Sequence, residues 1–211
     1  MKIKKFTFNP FSENTYVVSD ENKQAAIFDP GMSDRLEEEE VMNYLNENGL
    51  EMKYLVNTHC HIDHIIGNQF IADKFQLKLQ SSEKESLTLG FAGASAQMWN
   101  VPFAGSPNIE ILLKEGDVLK VGIDEWEVFE VPGHSVGHLI FVNRDSRSII
   151  GGDTLFQGSI GRTDLPGGDH EQLLKNIKEK MFCLPDEFVV YSGHGPETTI
   201  GSEKQHNPWL Q

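Results

Sequence analysis

The chain has 211 residues, enough to bury a substantial core, and 18 basic against 32 acidic residues give it a net charge of −14. That charge repels phosphate backbones and anionic headgroups, which argues against a nucleic-acid or membrane partner. No apolar run approaches the ~18 residues a spanning helix needs. The amino-terminal MKIKKFTFNP lacks the apolar core of a signal peptide, and two cysteines make no disulfide framework, so the reading is a cytoplasmic protein folded as one domain over residues 1–211.

In chain order, Ile3 to Phe8, Thr15 to Val18 and Ala25 to Asp29 are short apolar segments divided by polar turn residues, and they read as strands of a sheet. Asp29-Pro30-Gly31 breaks the third. Ser33 is then placed to cap a helix through Asn48, with Leu36, Val41, Met42 and Leu45 on one face and Gly49 as the stop. Glu37 to Glu40 suit the solvated first turns of that helix, where negative charge favours the helix dipole. A helix through about Phe75 and a strand from Leu77 to Gln80 continue the layered sheet. Phe91 to Pro107 breaks the alternation: it is rich in Gly, Ala and Ser yet carries Phe91, Met98, Trp99 and Phe103, and reads as a lid or irregular insertion. Strands are expected at Ile111 to Leu113, Asp117 to Val121, Trp126 to Val131, His138 to Val142 and Ser148 to Gly152. Asp169 opens a further helix whose Leu173, Leu174, Ile177 and Met181 form an apolar face.

The densest chemistry lies at Thr58-His59-Cys60-His61-Ile62-Asp63-His64, directly after the apolar run Leu55-Val56-Asn57. Imidazole nitrogens and a carboxylate oxygen suit zinc and its borderline neighbours. In an extended segment His59 and His61 point to one side, while Asp63 and His64 turn into a neighbouring position, so two adjacent metals are accommodated. Cys60 alternates to the other side and is assigned to packing. Three further sites recur at strand ends: Pro132-Gly133-His134, Gly151-Gly152-Asp153 and Gly193-His194-Gly195. A lone histidine after Pro-Gly, or a lone Gly-Asp, reads as a loop residue. Their coincidence with the first motif makes five histidines and two aspartates, enough for two metals that each keep a position open to water or substrate.

This set, in this order, resembles the metallo-β-lactamase-fold hydrolases and within them the glyoxalase II-like branch. Gly161-Arg162-Thr163-Asp164-Leu165-Pro166-Gly167-Gly168-Asp169-His170, Gly193-His194-Gly195-Pro196-Glu197-Thr198-Thr199 and Asn207-Pro208 resemble its short bacterial members. The resemblance implies an α/β fold, a four-layer αββα sandwich with metals at one edge. It also implies that His59, His61 and His134 hold the first metal, Asp63, His64 and His194 the second, and that Asp153 bridges them. Two divalent ions, zinc foremost with iron or manganese as substitutes, would then supply hydroxide near neutral pH, with Asp63 and Asp153 as the catalytic carboxylates. His138, His170 and His206 match no ligand position, and Arg162 and Asp164 are expected to brace the loop after Asp153.

The expected function is hydrolysis of a thioester, such as a hydroxyacylglutathione or a related small acyl substrate. A mononuclear iron persulfide dioxygenase built on His59, His134 and Asp153 is the alternative, and a binding module without chemistry is the third reading. Full-length glyoxalase II enzymes continue into a helical region that supplies basic residues for glutathione. This chain stops at Gln211, so the expectation is a weak grip on lactoylglutathione and better use of another thioester.

Overall fold

The computed structural model describes residues 1–211. The first sheet takes β1 (Lys2–Phe8), β2 (Glu13–Ser19), β3 (Gln24–Phe28), β4 (Glu51–Val56), β5 (Leu79–Ser81) and β6 (Ile109–Leu112) in that spatial order. Its first three strands pair antiparallel, and β3 to β6 run parallel. Helix α1 (Arg35–Asn48) crosses from β3 to β4 and α2 (Asn68–Phe75) from β4 to β5, while α3 (Glu85–Gly90) and α4 (Ala92–Trp99) precede β6.

The second sheet begins with β7 (Val118–Val121), β8 (Asp124–Glu130), β9 (Leu139–Asn143) and β10 (Ser148–Gly152). A small hairpin, β11 (Leu155–Phe156) and β12 (Ser159–Ile160), follows, then α5 (His170–Asn176), continued by one wide turn through Met181. Strands β13 (Val189–Ser192) and β14 (Thr198–Thr199) and helix α6 (Ile200–His206) complete the chain, giving the sheet order β14-β13-β10-β9-β8-β7.

The layering follows from two-residue alternation in strands buried on both faces. Tyr16, Val18, Ala26 and Phe28 of the first sheet meet Trp126, Val128, Leu139, Phe141 and Ile150 of the second in one intersheet core. Their neighbours Val17, Ala25 and Ile27 point outward onto Val41, Leu45 and Ile71 of α1 and α2. In the same way Ile140 and Val142 point outward onto Leu173, Ile177 and Met181. Helix, sheet, sheet and helix are the four layers expected. No helix is long and apolar enough to cross a membrane.

Several local expectations are corrected. Asp34, not Ser33, caps α1: its carboxylate accepts from the amides of Leu36 and Glu37, while Ser33 donates to Glu37 Oε2. Leu36 is 74% exposed and leaves the apolar face, whereas Gly49, at φ 63°, ends the helix in the left-handed conformation as expected. The Gly/Ala/Ser-rich stretch is not irregular throughout, because residues 92–99 form α4. Small Ala92 and Ala96 let that helix lie close on Cys60, Ile62, Ile65 and Ile66, and its large residues Met98 and Trp99 face outward. Strand β6 joins the first sheet as its edge and begins at Ile109, two residues before the expected Ile111.

Trp126 is fully buried where both sheets meet, and its indole N–H has no partner. Trp126→Ala is expected to cost about 3–5 kcal/mol of unfolding free energy in urea titrations, the loss of a large buried ring plus a cavity. Trp126→Phe is expected to cost less than about 2 kcal/mol, because it keeps most of the volume and removes an unsatisfied donor.

Candidate metal centre

Four strand ends open at one edge of the sandwich. The turn after β4 carries His59, His61, Asp63 and His64, the loop after β8 carries His134, the end of β10 leads to Asp153, and β13 leads to His194. Glycines permit the approach. At Gly193 a Cβ would stand 2.1 Å from Asp153 Oδ1, and at Gly133, φ 136°, it would stand 2.5 Å from the backbone nitrogen of Leu173.

Second nitrogens of His59, His134 and His194 are tied to oxygen partners, which fixes the ring faces turned inward. His134 Nδ1 donates to the carbonyl of Arg162 at 2.7 Å, and His194 Nδ1 to the carbonyl of Phe11 at 3.1 Å. Thr58 Oγ1 donates to Asp29 Oδ2 at 2.6 Å, so His59 Nδ1, 3.0 Å away, is the donor in that contact. His64 Nδ1 lies 3.2 Å from the same Asp29 oxygen.

The inward atoms form two groups. His134 Nε2 lies 2.8 Å from His61 Nδ1 and 3.2 Å from His59 Nε2. Asp63 Oδ2 lies 3.2 Å from His194 Nε2 and 3.7 Å from His64 Nε2. Asp153 stands between: its Oδ2 is 3.5 Å from both His134 Nε2 and His194 Nε2, and its Oδ1 is 3.5 Å from His64 Nε2. Each histidine-containing triad keeps its donor atoms within 4.8 Å of one another, the spread of a single metal site.

The electrostatics fit bound cations. Burial first, then His134, drives His61 down to about 3, and burial with the neighbouring His64 and His138 pushes His59 well below its usual value. Both therefore offer lone pairs, the form a metal requires. Around the second group burial opposes charge, but Asp153 and Asp63 outweigh it and raise His64 well above the ordinary imidazole range. Burial likewise works to raise Asp153, and His64, His194 and His134 override it to hold the carboxyl well below the usual carboxylate range. His64 Nε2 and Asp153 Oδ1 are nonetheless buried without a hydrogen-bond partner. A buried carboxylate oxygen without a partner, and imidazole nitrogens 2.8 Å apart, are satisfied by a cation between them.

All seven residues named from the sequence gather at this edge, whereas His170 and His206 are exposed on α5 and α6. His138 is buried beside the centre, stacked on His59 with ring centroids 4.7 Å apart, and its Nε2 accepts from the amide of Asp153 at 3.0 Å. Cys60 packs with Ile62, Ile65 and Ile66. Arg162 braces the centre by its carbonyl rather than its side chain, which pairs with Asp164 in solvent.

Sequence reasoning missed Asp29 and Glu13. Asp29-Pro30-Gly31 reads as a turn, yet Asp29 is buried in the left-handed conformation at φ 48° and accepts from the Thr58 amide at 2.7 Å. Glu13 is fully buried 3.9 Å from His64 Nδ1, and burial raises its carboxyl well above the usual value. Neither carried a local signal, since Asp29 precedes Pro-Gly just past β3 and Glu13 opens β2 beside polar Asn14 and Thr15.

A family model described as the Metallo-beta-lactamase superfamily matches residues 8–194. The chain is similar to the hydroxyacylglutathione hydrolase GloC of Haemophilus influenzae, 36% identical over an alignment that covers 100% of this chain and 98% of that protein. Among solved structures, the BLEG-1 B3 metallo-beta-lactamase matches with TM-score 0.91 and 36% identity, covering 100% of both chains. TTHA1623 in a di-iron-bound form matches with TM-score 0.89 and 31% identity, over 98% of this chain and 100% of that one.

Because a Cβ at position 193 would overlap Asp153 Oδ1 and approach His64 Cε1 to 2.8 Å, Gly193→Ala is expected to weaken divalent-metal binding roughly tenfold or more. Chelator competition measures the affinity. An unchanged far-ultraviolet circular dichroism spectrum shows that the sandwich persists.

Proposed function

The chain belongs to the metallo-beta-lactamase superfamily, and on that premise we propose that it is a dinuclear metal hydrolase of thioesters. His59, His61 and His134 hold one divalent ion, Asp63, His64 and His194 hold the other, and Asp153 joins them. The observation that carries this reading is the equal 3.5 Å from Asp153 Oδ2 to His134 Nε2 and to His194 Nε2, one oxygen reaching both groups. Two divalent ions supply a water of lowered pKa as nucleophile and polarise the carbonyl to be attacked.

The chain's own residues then divide the remaining work. Asp153 fixes the spacing of the two groups. Burial works to raise Asp63, but His64 and His194 hold it below the usual carboxylate value, so near neutral pH it is an acceptor that orients the attacking water. A thioester suits this machinery because its leaving thiol has a pKa of about 8.5, and the C–S bond breaks without an acid to protonate sulfur. Apolar groups gather on the His194 side: Phe11, whose carbonyl holds that histidine, stacks edge-to-face on Trp99 at 5.8 Å, and the Phe156 ring lies 6.2 Å from His194. They support an acyl group with apolar character. The net charge of −14 disfavours a substrate bearing several carboxylates.

Asp153→Ala is expected to lower kcat roughly a thousandfold, a loss of several kcal/mol in transition-state stabilisation, while Cys60→Ala stays within about tenfold of the parent, since its thiol only packs. Normal turnover by the aspartate variant, or loss of it in the cysteine variant, overturns the assignment.

Steady-state kinetics over a thioester series tests the substrate. Lactoylglutathione is expected to be hydrolysed with a high, poorly saturating KM, and a smaller or more apolar thioester with higher kcat/KM. Saturation at low lactoylglutathione concentration overturns that preference. A single bound iron with oxygen consumption on glutathione persulfide, and no thioester turnover, replaces the hydrolase by a dioxygenase built on His59, His134 and Asp153.

A further inference from the structure

Glu85, the first residue of α3, is completely buried and belongs to neither ligand group. Its carboxylate is met by three donors from two separate loops. Oε2 accepts from the amide of Cys60 at 2.8 Å, while Oε1 accepts from Ser135 Oγ at 2.8 Å and from the amide of Gly137 at 2.7 Å. Cys60 lies between His59 and His61, Ser135 directly follows His134, and Gly137 directly precedes His138, whose Nε2 accepts from the Asp153 amide. One side chain therefore joins the β4 loop to the β8 loop at the peptides that carry the three histidines of the first group.

The spacing is built for this contact. At Gly137 a Cβ would stand 2.8 Å from Ser82 Oγ and 3.0 Å from the Glu85 amide, so only glycine lets the β8 loop come this close to the start of α3. A buried carboxylate costs several kcal/mol in desolvation, and an apolar side chain would fill the volume at lower cost. Two acceptor oxygens are what three donors on two loops require. Glutamine offers one acceptor, and its amide nitrogen would confront a backbone N–H.

We propose that Glu85 is a positioning residue for the first metal site, a carboxylate clamp that holds the His59/His61 loop and the His134 loop at the separation one ion needs. The inference rests on the ligand assignment made above. Outer partners that orient metal ligands typically change affinity ten- to a hundredfold when removed.

Metal-free full-length wild type, Glu85→Gln, Ser135→Ala and His61→Ala are titrated with cobalt(II), whose visible bands distinguish an all-histidine group from one containing aspartate. Amide hydrogen exchange is followed at Cys60 and Gly137 in the absence of metal. In Glu85→Gln the first-site affinity is expected to fall about ten- to a hundredfold, with the Asp63, His64 and His194 site within a few-fold of wild type and faster exchange at Cys60 or Gly137. Ser135→Ala, which removes one of three donors, shifts the first site in the same direction by less. Wild-type first-site affinity in Glu85→Gln overturns the clamp, as does equal weakening of both sites, the mark of a merely structural role. If Glu85→Gln does not fold, Ser135→Ala decides: selective weakening of the first site supports the clamp and unchanged affinity overturns it. Two full sites in His61→Ala overturn the ligand assignment and the clamp with it, whereas a depleted His61→Ala beside an unaffected Glu85→Gln overturns the clamp alone.

Discussion

The carboxylate of Asp153, buried among the imidazoles of His64, His134 and His194, is the interaction on which the rest of this edge depends. Taking a carboxylate out of water is costly unless positive charge surrounds it, and the same holds in reverse for His64, fully buried between carboxylates. The two groups compensate each other only at this separation. Gly193 and Gly161 remove the side chains that would force them apart, since a Cβ at either would stand about 2 Å from an Asp153 oxygen. Sheet packing sets the scale: β10 and β13 run parallel and adjacent, so Asp153 and His194 leave the sheet side by side.

Behind the inward residues stands a second set of buried acids, each fastened to a main chain. Asp29 takes the Thr58 amide and hydroxyl and faces His64 Nδ1, and Glu85 takes the amides of Cys60 and Gly137. Sites held by rotamers alone drift, whereas carboxylates pinned to backbone amides carry the rigidity of the sheet to the ligand atoms. The intersheet core around Trp126 and Phe28 contributes nothing chemical, yet it fixes the strand ends that lead to the inward residues.

What the sequence made legible follows the range of the forces involved. Strand alternation and the His/Asp clusters are local, so β10 emerges at Ser148–Gly152 and the seven inward residues are recognisable by type and spacing. Helix α4 was not legible, because eight residues rich in Ala and Gly carry no apolar stripe, and their reason for being helical is the close seat of Ala92 and Ala96 on the Cys60 loop. Asp29 and Glu85 were illegible for the complementary reason. An acid before Pro-Gly, or one at the start of a short helix, matches a turn or a cap by local rules. Only contacts 25 to 52 residues away in sequence give them a role at the centre.

The division between rigid and exposed parts explains why a ligand set of this kind determines chemistry more firmly than substrate. Every inward atom is held by strands, glycines and buried acids, so little variation is tolerated there. The other wall of the site is built differently: α3, α4 and the extended segment to β6 place Leu87, Phe91, Met98 and Trp99 at 50 to 78% exposure, while Glu85 and the small Ala92 and Ala96 seat the same helices on the centre. Substitutions on that outer face cost little stability, since they neither open a cavity nor strand a buried polar group. The candidate metal centre and the exposed surface beside it can therefore vary independently, and Phe11 is where they meet, its carbonyl holding His194 while its ring packs on Trp99.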